Sequence, residues 1–294
     1  MGLVLATFNV LDLFDGADSA RIERIAALLR PHGPDVVALQ EIGDESAAVA
    51  LEAALGGGYK HVLGDTDDRG IRCALLTRRP IITSNVLRAT TLDFPRFFRA
   101  DAAPFDARVP LRRAIPEVVV DGGDIGRVRV LVVHFKSRRG TPMRDDAGAK
   151  MEPTTTHALA EAETRAVVWR CAEALFVRRV VDERLLREPN EMLVVCGDFN
   201  DVAGSLPLRI VAGVAQAEGR PDELVSCAER VPLAERVSVM HDGQPAAIDH
   251  VLLSHALATR LERCFYERTG LGDVSAEGAG VFASDHAPLV VRFA

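Results

Sequence analysis

Five polar clusters in this 294-residue chain stand where an apolar run ends or begins. Asn9 follows LATF, Gln40 and Glu41 follow VVAL, and His134 with Lys136 follows LVV. Asp198 and Asn200 follow VVCG, and Asp285-His286 precedes PLVV. One such residue alone reads as a cap or turn. Five in one chain read differently, because strand ends in stacked sheets open onto one rim where side chains converge. Their types suit phosphodiester cleavage, which needs neutralised phosphate charge, an activated water and help for the leaving group. A hard cation such as Mg²⁺ or Mn²⁺ prefers carboxylate and amide oxygens, which Asn9, Glu41 and Asp285 supply. His134 and His286 can donate to a non-bridging oxygen. Asp198 can accept a proton from water, and Asn200 can hold that water or a phosphate oxygen.

The elements that would carry these groups are legible as hydrophobic periodicity. LVLATFN reads as a buried strand rather than a signal peptide, since no basic stretch precedes it. Ser19–Arg30 reads as a helix capped by Asp18 or Ser19 and stopped at His32-Gly33-Pro34. DVVALQE is a continuous apolar run, as in a strand covered on both faces, and Glu45–Leu55 fits a short helix. CALLT, PIITSNVL, IPEVVV and VRVLVVHF are strand-like. A long helix is predicted from Thr156 to about Leu186, followed by the strands EMLVVCGDFN, IDHVLLS and APLVVRF. Ser205–Val239 is mixed and gives no clear pattern. The resulting expectation is one domain spanning residues 1–294, with no repeat and no linker.

Composition narrows the function classes. No run of about 18 apolar residues occurs, which argues against a helical membrane span. The net charge of −7 disfavours a protein built to coat nucleic acid, yet it is compatible with a metal-dependent nuclease, whose site is acidic. The five cysteines are scattered and form no C-x-x-C pair, the pattern of buried thiols in a reducing, cytoplasmic setting. No G-x-S-x-G elbow is present, so Ser284 lacks the context of a hydrolase nucleophile. Oligomeric state is not readable.

The strings TFN, LQEI, VVHFKS, GDFN, IDHVLLS and SDHAPLVV resemble, in order and spacing, the motifs of the endonuclease/exonuclease/phosphatase superfamily, from Asn9 to Val291. The resemblance implies an α+β fold, a four-layer α/β/β/α sandwich of two mixed sheets with helices outside. It also implies a divalent-metal-dependent phosphoesterase, a nuclease first and otherwise a lipid or small-molecule phosphodiesterase. Position by position, it implies Glu41 as principal metal ligand, Asn9 and Asp285 as further metal-site groups, and His134 as a phosphate-binding histidine. Asp198 and Asn200 match the residues that orient or deprotonate water. Asp249 matches a carboxylate paired with His286, which would fix the imidazole tautomer. Arg113, or Arg112 in its place, resembles an arginine beside the phosphate site, and Lys136 is a second candidate phosphate contact or a solvated strand-end cation.

Two departures bear on substrate. Tyr59 and Tyr266 do not lie where DNA-repair members carry a loop tyrosine, and Trp169 falls inside the long helix, as core packing would place it. Two long loops are candidate substrate elements. Thr91–Arg113 mixes Phe94, Phe97, Phe98 and Phe105 with Arg96, Arg99 and Arg108, either to grip a phosphate beside an apolar group or to anchor the loop. Lys136–Lys150 carries Arg138, Arg139 and Arg144. His157 and His250 are candidates for supporting roles. Asp65, Asp67 and Asp68 read as a solvated turn.

Overall fold

Alternation of side chains decides the layering. In the computed structural model, which describes residues 2–96, 98, 100–102, 104–213, 220, 222–273 and 283–294, Val128, Val130 and Val132 face one way and Leu131 and Val133 the other. That period of two is the signature of a strand buried on both faces.

In chain order the strands are β1 (Leu3–Leu13), β2 (Val36–Ile42), β3 (Lys60–Leu63), β4 (Arg72–Thr77), β5 (Ile81–Leu87), β6 (Ile115–Asp121), β7 (Arg127–His134), β8 (Met143–Arg144), β9 (Lys150–Met151), β10 (Met192–Asp198), β11 (Leu224–Ser226), β12 (Val239–His241), β13 (Gln244–Ala246), β14 (Asp249–Ser254), β15 (Leu261–Tyr266) and β16 (Leu289–Phe293). Among the described residues they form two six-stranded sheets, ordered β15-β16-β1-β2-β4-β3 and β11-β14-β10-β7-β6-β5, and two small hairpins, β12-β13 and β8-β9. Each large sheet holds one parallel pair, β1 with β2 and β7 with β10, so both sheets are mixed.

Three apolar layers hold the sandwich. Leu3, Leu5, Val130, Val194 and Val291 pack between the sheets. Phe8, Leu39 and Leu76 pack outward beneath α1 (Ser19–Leu29) and α2 (Glu45–Ala54). Val133, Val195 and Phe199 pack beneath α3 (Thr156–Arg187) and α4 (Leu206–Ala212). A short α5 (His255–Ala258) follows β14. Each fully buried large side chain contributes about 1.5–3 kcal/mol. Helices α1, α2 and α3 begin at side-chain caps: Asp18 accepts from Ala20 N, Asp44 from Ala47 N and Thr155 from Ala158 N. Helix α1 stops one residue earlier than its periodicity suggests, where Arg30–His32 tightens into a 3₁₀ turn closed by Gly33 at φ +57°. Among its described residues the mixed segment holds α4, β11 and two 3₁₀ turns, and β3, β12, β13 and β15 are strands too short or too exposed to announce themselves.

The topology sets the rim. In a parallel pair the two C-terminal ends lie side by side, so Asn9 pairs with Gln40 and Asp198 with His134. Strands β14 and β16 run antiparallel to β10 and β1, which brings their beginnings to the same side; Asp249 is the register partner of Asp198. At Gly197 a β-carbon would sit 1.9 Å from Val133 O, with φ at +143°. Only glycine lets β10 approach β7 this closely just before Asp198.

Candidate active site

Asp198, 2% exposed at the end of β10, is the hub. Its Oδ2 accepts from Asn9 Nδ2 at 3.1 Å and Asn200 Nδ2 at 3.2 Å. His134 Nε2 lies 3.4 Å and His286 Nε2 4.0 Å from the same oxygen. Asn200 N donates to Oδ1 at 2.7 Å, and Asn200 Nδ2 also reaches Phe135 O at 3.0 Å. His286 Nδ1 pairs with Asp249 Oδ2 at 2.7 Å, and Tyr266 Oη donates to Asp249 O at 3.1 Å. Ser284 Oγ donates to Asn9 O and accepts from His286 N, joining the two chain ends of the site.

Glu41 lies beside this hub. Its Oε1 is 3.4 Å from Asn9 Nδ2 and 3.8 Å from His134 Nε2, and its Oε2 accepts from Asp12 N at 3.0 Å. Leu11, Asp12, Glu41 and Asn200 all have positive φ. Each such non-glycine conformation costs about 1–3 kcal/mol, and it is held because surrounding contacts demand it. The bulge at Leu11–Asp12 turns the Asp12 amide toward Glu41. Arg21 pins that bulge by donating to Val10 O, Leu11 O and Asp12 O, and it also reaches Ala283 O at 3.3 Å.

Burial raises the Asp198 carboxyl to about 7, with the Asp249 charge pushing the same way. Burial likewise raises Glu41, again with a neighbouring carboxylate, Asp12, adding to it. Burial holds His134 well below the usual imidazole range, with the Arg113 and His286 charges adding to it. His286 is also pulled down by burial, but Asp249, Asp198 and Asp285 more than offset this and lift it to about 10.

The structure thus brings together Asn9, Glu41, His134, Asp198, Asn200, Asp249 and His286, with Asp285 Oδ1 at the edge, 3.9 Å from His286 Nε2. It does not bring in Lys136 or Arg113. The Lys136 ammonium folds onto Arg139 O at 2.7 Å and Ser137 O at 3.0 Å and is buried rather than solvated. Arg113 is 3% exposed; it donates to His134 O and Phe135 O and pairs with Asp67 at 3.0 Å. Its guanidinium therefore braces the β7 end from behind. Arg112 is tied to Asp68 and Asp67; in the acidic turn Asp65 and Asp68 are solvated, as expected, while Asp67 is buried against Arg112 and Arg113. His157 is exposed beside Glu161, whereas His250 is buried with Nε2 2.9 Å from Asp201 O.

The loops are also placed. Phe94 meets Phe105 edge-on and lines a shallow cavity with Leu175, Phe176 and Arg179 of α3, outside the cluster. Phe98 and Phe105 are exposed; Phe97 and Arg99 lie outside the described residues. Trp169 is half-buried and donates to Pro110 O, tethering the loop to α3 instead of filling the core. In the second loop, Arg138 Nε reaches Asn200 O at 3.3 Å. Asp12, Arg21 and Arg69 are site residues with no sequence signal beyond their charge, since each acts across the fold.

The donor chemistry fits a hard divalent ion. Glu41 offers a carboxylate whose nearest formal cation is Arg69, 3.7 Å away, and Asp285 offers a second; the expected Asn9 oxygen is instead taken by Leu11 N, and the amide turns its Nδ2 toward Glu41 and Asp198. A second grouping, Asp198, Asp249 and His286, places possible ligand atoms within 4.8 Å of one another. There His286 Nδ1 is already engaged by Asp249 Oδ2 at 2.7 Å, so an ion in this grouping would have to displace a proton from the imidazole.

Comparison with known proteins agrees with this geometry. The family model described as "Endonuclease/Exonuclease/phosphatase family" matches residues 6–286. Truncated TDP2 from Caenorhabditis elegans aligns with TM-score 0.64 at 16% identity, over 99% of this chain and 96% of that one. A mannosyl-6-phosphatase from Bacteroides thetaiotaomicron aligns with TM-score 0.61 at 19% identity, over 98% of each chain. An AP endonuclease from Archaeoglobus fulgidus aligns with TM-score 0.58 at 17% identity, over 99% of each. At these identities the likeness shows a shared fold. No curated protein matches the chain.

Proposed function

Because this chain belongs to the endonuclease/exonuclease/phosphatase family, and so is a metal-dependent phosphoesterase, we propose that it hydrolyses a phosphodiester by in-line attack of water, with a nucleic acid strand as the first substrate class. The observation that carries the reading is the convergence of two amides and two imidazoles on one buried carboxylate oxygen, Asp198 Oδ2.

Held at Glu41 with Asp285 as the second carboxylate, Mg²⁺ or Mn²⁺ would supply charge neutralisation at the phosphate. The protein's own groups do the rest. Asp198 accepts the proton of the attacking water, and a carboxyl raised to about 7 is near the optimum for that task at neutral pH. Asn200 and Asn9 fix the Asp198 carboxylate. His286, kept protonated by Asp249, donates to a non-bridging oxygen as charge builds there. His134, held neutral, donates a hydrogen bond without adding charge. In this reading residues 1–294 act as one domain, and Lys136 and Arg113 support the β7 end from the protein side.

Small phosphoesters are the second reading. Net charge −7 argues against tight, sequence-independent duplex binding. Among the described residues no helix is long and apolar enough to cross a membrane.

The test is turnover with Mg²⁺ or Mn²⁺ on plasmid, single-stranded DNA, RNA, bis-p-nitrophenyl phosphate, sphingomyelin and inositol phosphates. Cleavage of nucleic acid is expected, with loss on chelation. Cleavage of the small diester alone would select the second reading, and full activity in EDTA would sink both.

A further inference from the structure

Phe14 is a large aromatic left 38% exposed at the same rim. Its position is built rather than incidental. It follows the Leu11–Asp12 bulge and is held by Ala17 N donating to Phe14 O at 3.1 Å. Its ring lies against Gly43, two residues past Glu41, where a β-carbon would fall 2.2 Å from the ring. The ring also touches Gly70, where a β-carbon would be 3.5 Å away. Any other side chain at Gly43 would lift the ring off this seat.

Arg69 immediately precedes Gly70. Its Nη2 donates to both oxygens of Asp12, at 2.6 and 2.7 Å, and stands 3.7 Å from Glu41 Oε2. Its side chain is 45% exposed, and Nε and Nη1 make no hydrogen bond among the described residues. A guanidinium tethered on one edge keeps its other edge in fork geometry for phosphate oxygens. A half-exposed aromatic ring at Gly43 and Gly70 therefore stands next in the fold to a half-engaged guanidinium that borders Glu41.

We propose that Phe14 and Arg69 form a substrate subsite for phosphate esters carrying a planar ring next to the phosphate, with Arg69 taking phosphate oxygens and Phe14 stacking the ring. The proposal deepens the phosphoesterase reading and rests on it. The ring's source, a nucleobase or a simple aryl group, is separable by experiment. Stacking of one ring is worth about 1–3 kcal/mol, enough for roughly a tenfold preference or more.

Calorimetric binding in Mg²⁺ tests this without turnover. The probes are phenylphosphonate against methylphosphonate, and thymidine 5′-phosphate against ribose 5-phosphate. Wild type should favour the ring-bearing member of at least one pair by about tenfold. Phe14→Ala should abolish that preference while leaving the ringless member's affinity in place, and Phe14→Leu, which keeps apolar bulk over the glycines, should do the same. Arg69→Ala should weaken both members of a pair by a similar factor. Preference in the thymidine pair identifies a nucleotide subsite, and preference in the phenyl pair alone an aryl one. No ring preference in wild type, or a preference that survives in Phe14→Leu, overturns the proposal. Turnover of the substrate panel reports separately on the phosphoesterase reading, so the two can fail independently.

Discussion

Two histidines reach toward one carboxylate from opposite sheets, and their surroundings give them opposite charge. His134 ends β7 with the Arg113 guanidinium bonded to its own carbonyl, and burial with nearby cations holds it neutral. His286 enters β16 with Asp249 at 2.7 Å and two further carboxylates nearby, and is held protonated. The lesson is that acid–base assignment in this site is a property of the surroundings rather than of the imidazoles: burial lowers both, and the charges of Arg113 and Asp249 push the two apart. Both are buried and neither would be chosen by exposure.

The comparison can be broken hardest at the group both histidines share. Asp198→Ala should lower turnover by a factor on the order of 10⁴, with melting temperature falling only a few degrees, because burial already disfavours its charged form. Steady-state kinetics with a melting curve decide this; unchanged turnover would remove Asp198 from the chemistry.

Asp249→Asn attacks the His286 side alone. Turnover should fall by about 10²–10⁴, and the alkaline limb of the kcat/KM profile should move from near 10 toward the ordinary imidazole value. If the limb stays in place, Asp249 does not set the protonation of His286.

Arg113→Met attacks the His134 side. It leaves Asp67 and the β7 carbonyls short of a cation, so unfolding in urea should show a loss of about 3 kcal/mol. Histidine NMR should show His134 titrating at a higher pH than in wild type, and an unmoved resonance would contradict the bracing role.

The smallest effects are in the wild-type pH dependence. The kcat/KM profile should rise through about 7 as Asp198 loses its proton and fall through about 10 as His286 does, these values belonging to the coupled cluster. Stability carries its own signs. Asp198 has a folded value above its ordinary 3.8, so the folded state binds more protons between there and about 7, and stability falls across that window as pH rises. The His286 contribution is fully present below its ordinary 6.5 and is lost as pH rises through about 10. Urea titrations at a series of pH values should trace this decline, and a rise in stability from pH 7 to 10 would contradict it.

Much of this was legible in the sequence because it is periodic or local. Strands such as VRVLVVH alternate toward two apolar layers, and the 32-residue helix α3 carries its cap at Thr155. Asn9, Glu41, His134, Asp198 and His286 were readable because each interrupts an apolar run at a strand end. Less legible were residues whose partners are far away in sequence. Lys136 is an exception with near partners: it reads as a phosphate contact or a solvated cation, but its ammonium is buried against the carbonyls of Ser137 and Arg139 because the loop it begins turns back on it. Arg113 looked like a substrate residue and braces His134, since residues 67 and 134 close around it. Asp12, Arg21, Arg69 and the seat of Phe14 gave no signal at all.

By itself, then, the sequence determined the layers and the chemical groups at the rim: apolar period sets which face is buried, and polar residues that end such runs must lie at the edges. Only the tertiary structure decided which groups meet and in what charge state. Register places Asp198 between His134 and Asp249, and burial beside Arg113 or Asp249 determines which imidazole keeps its proton, because field strength at a buried site depends on distances that no local pattern encodes.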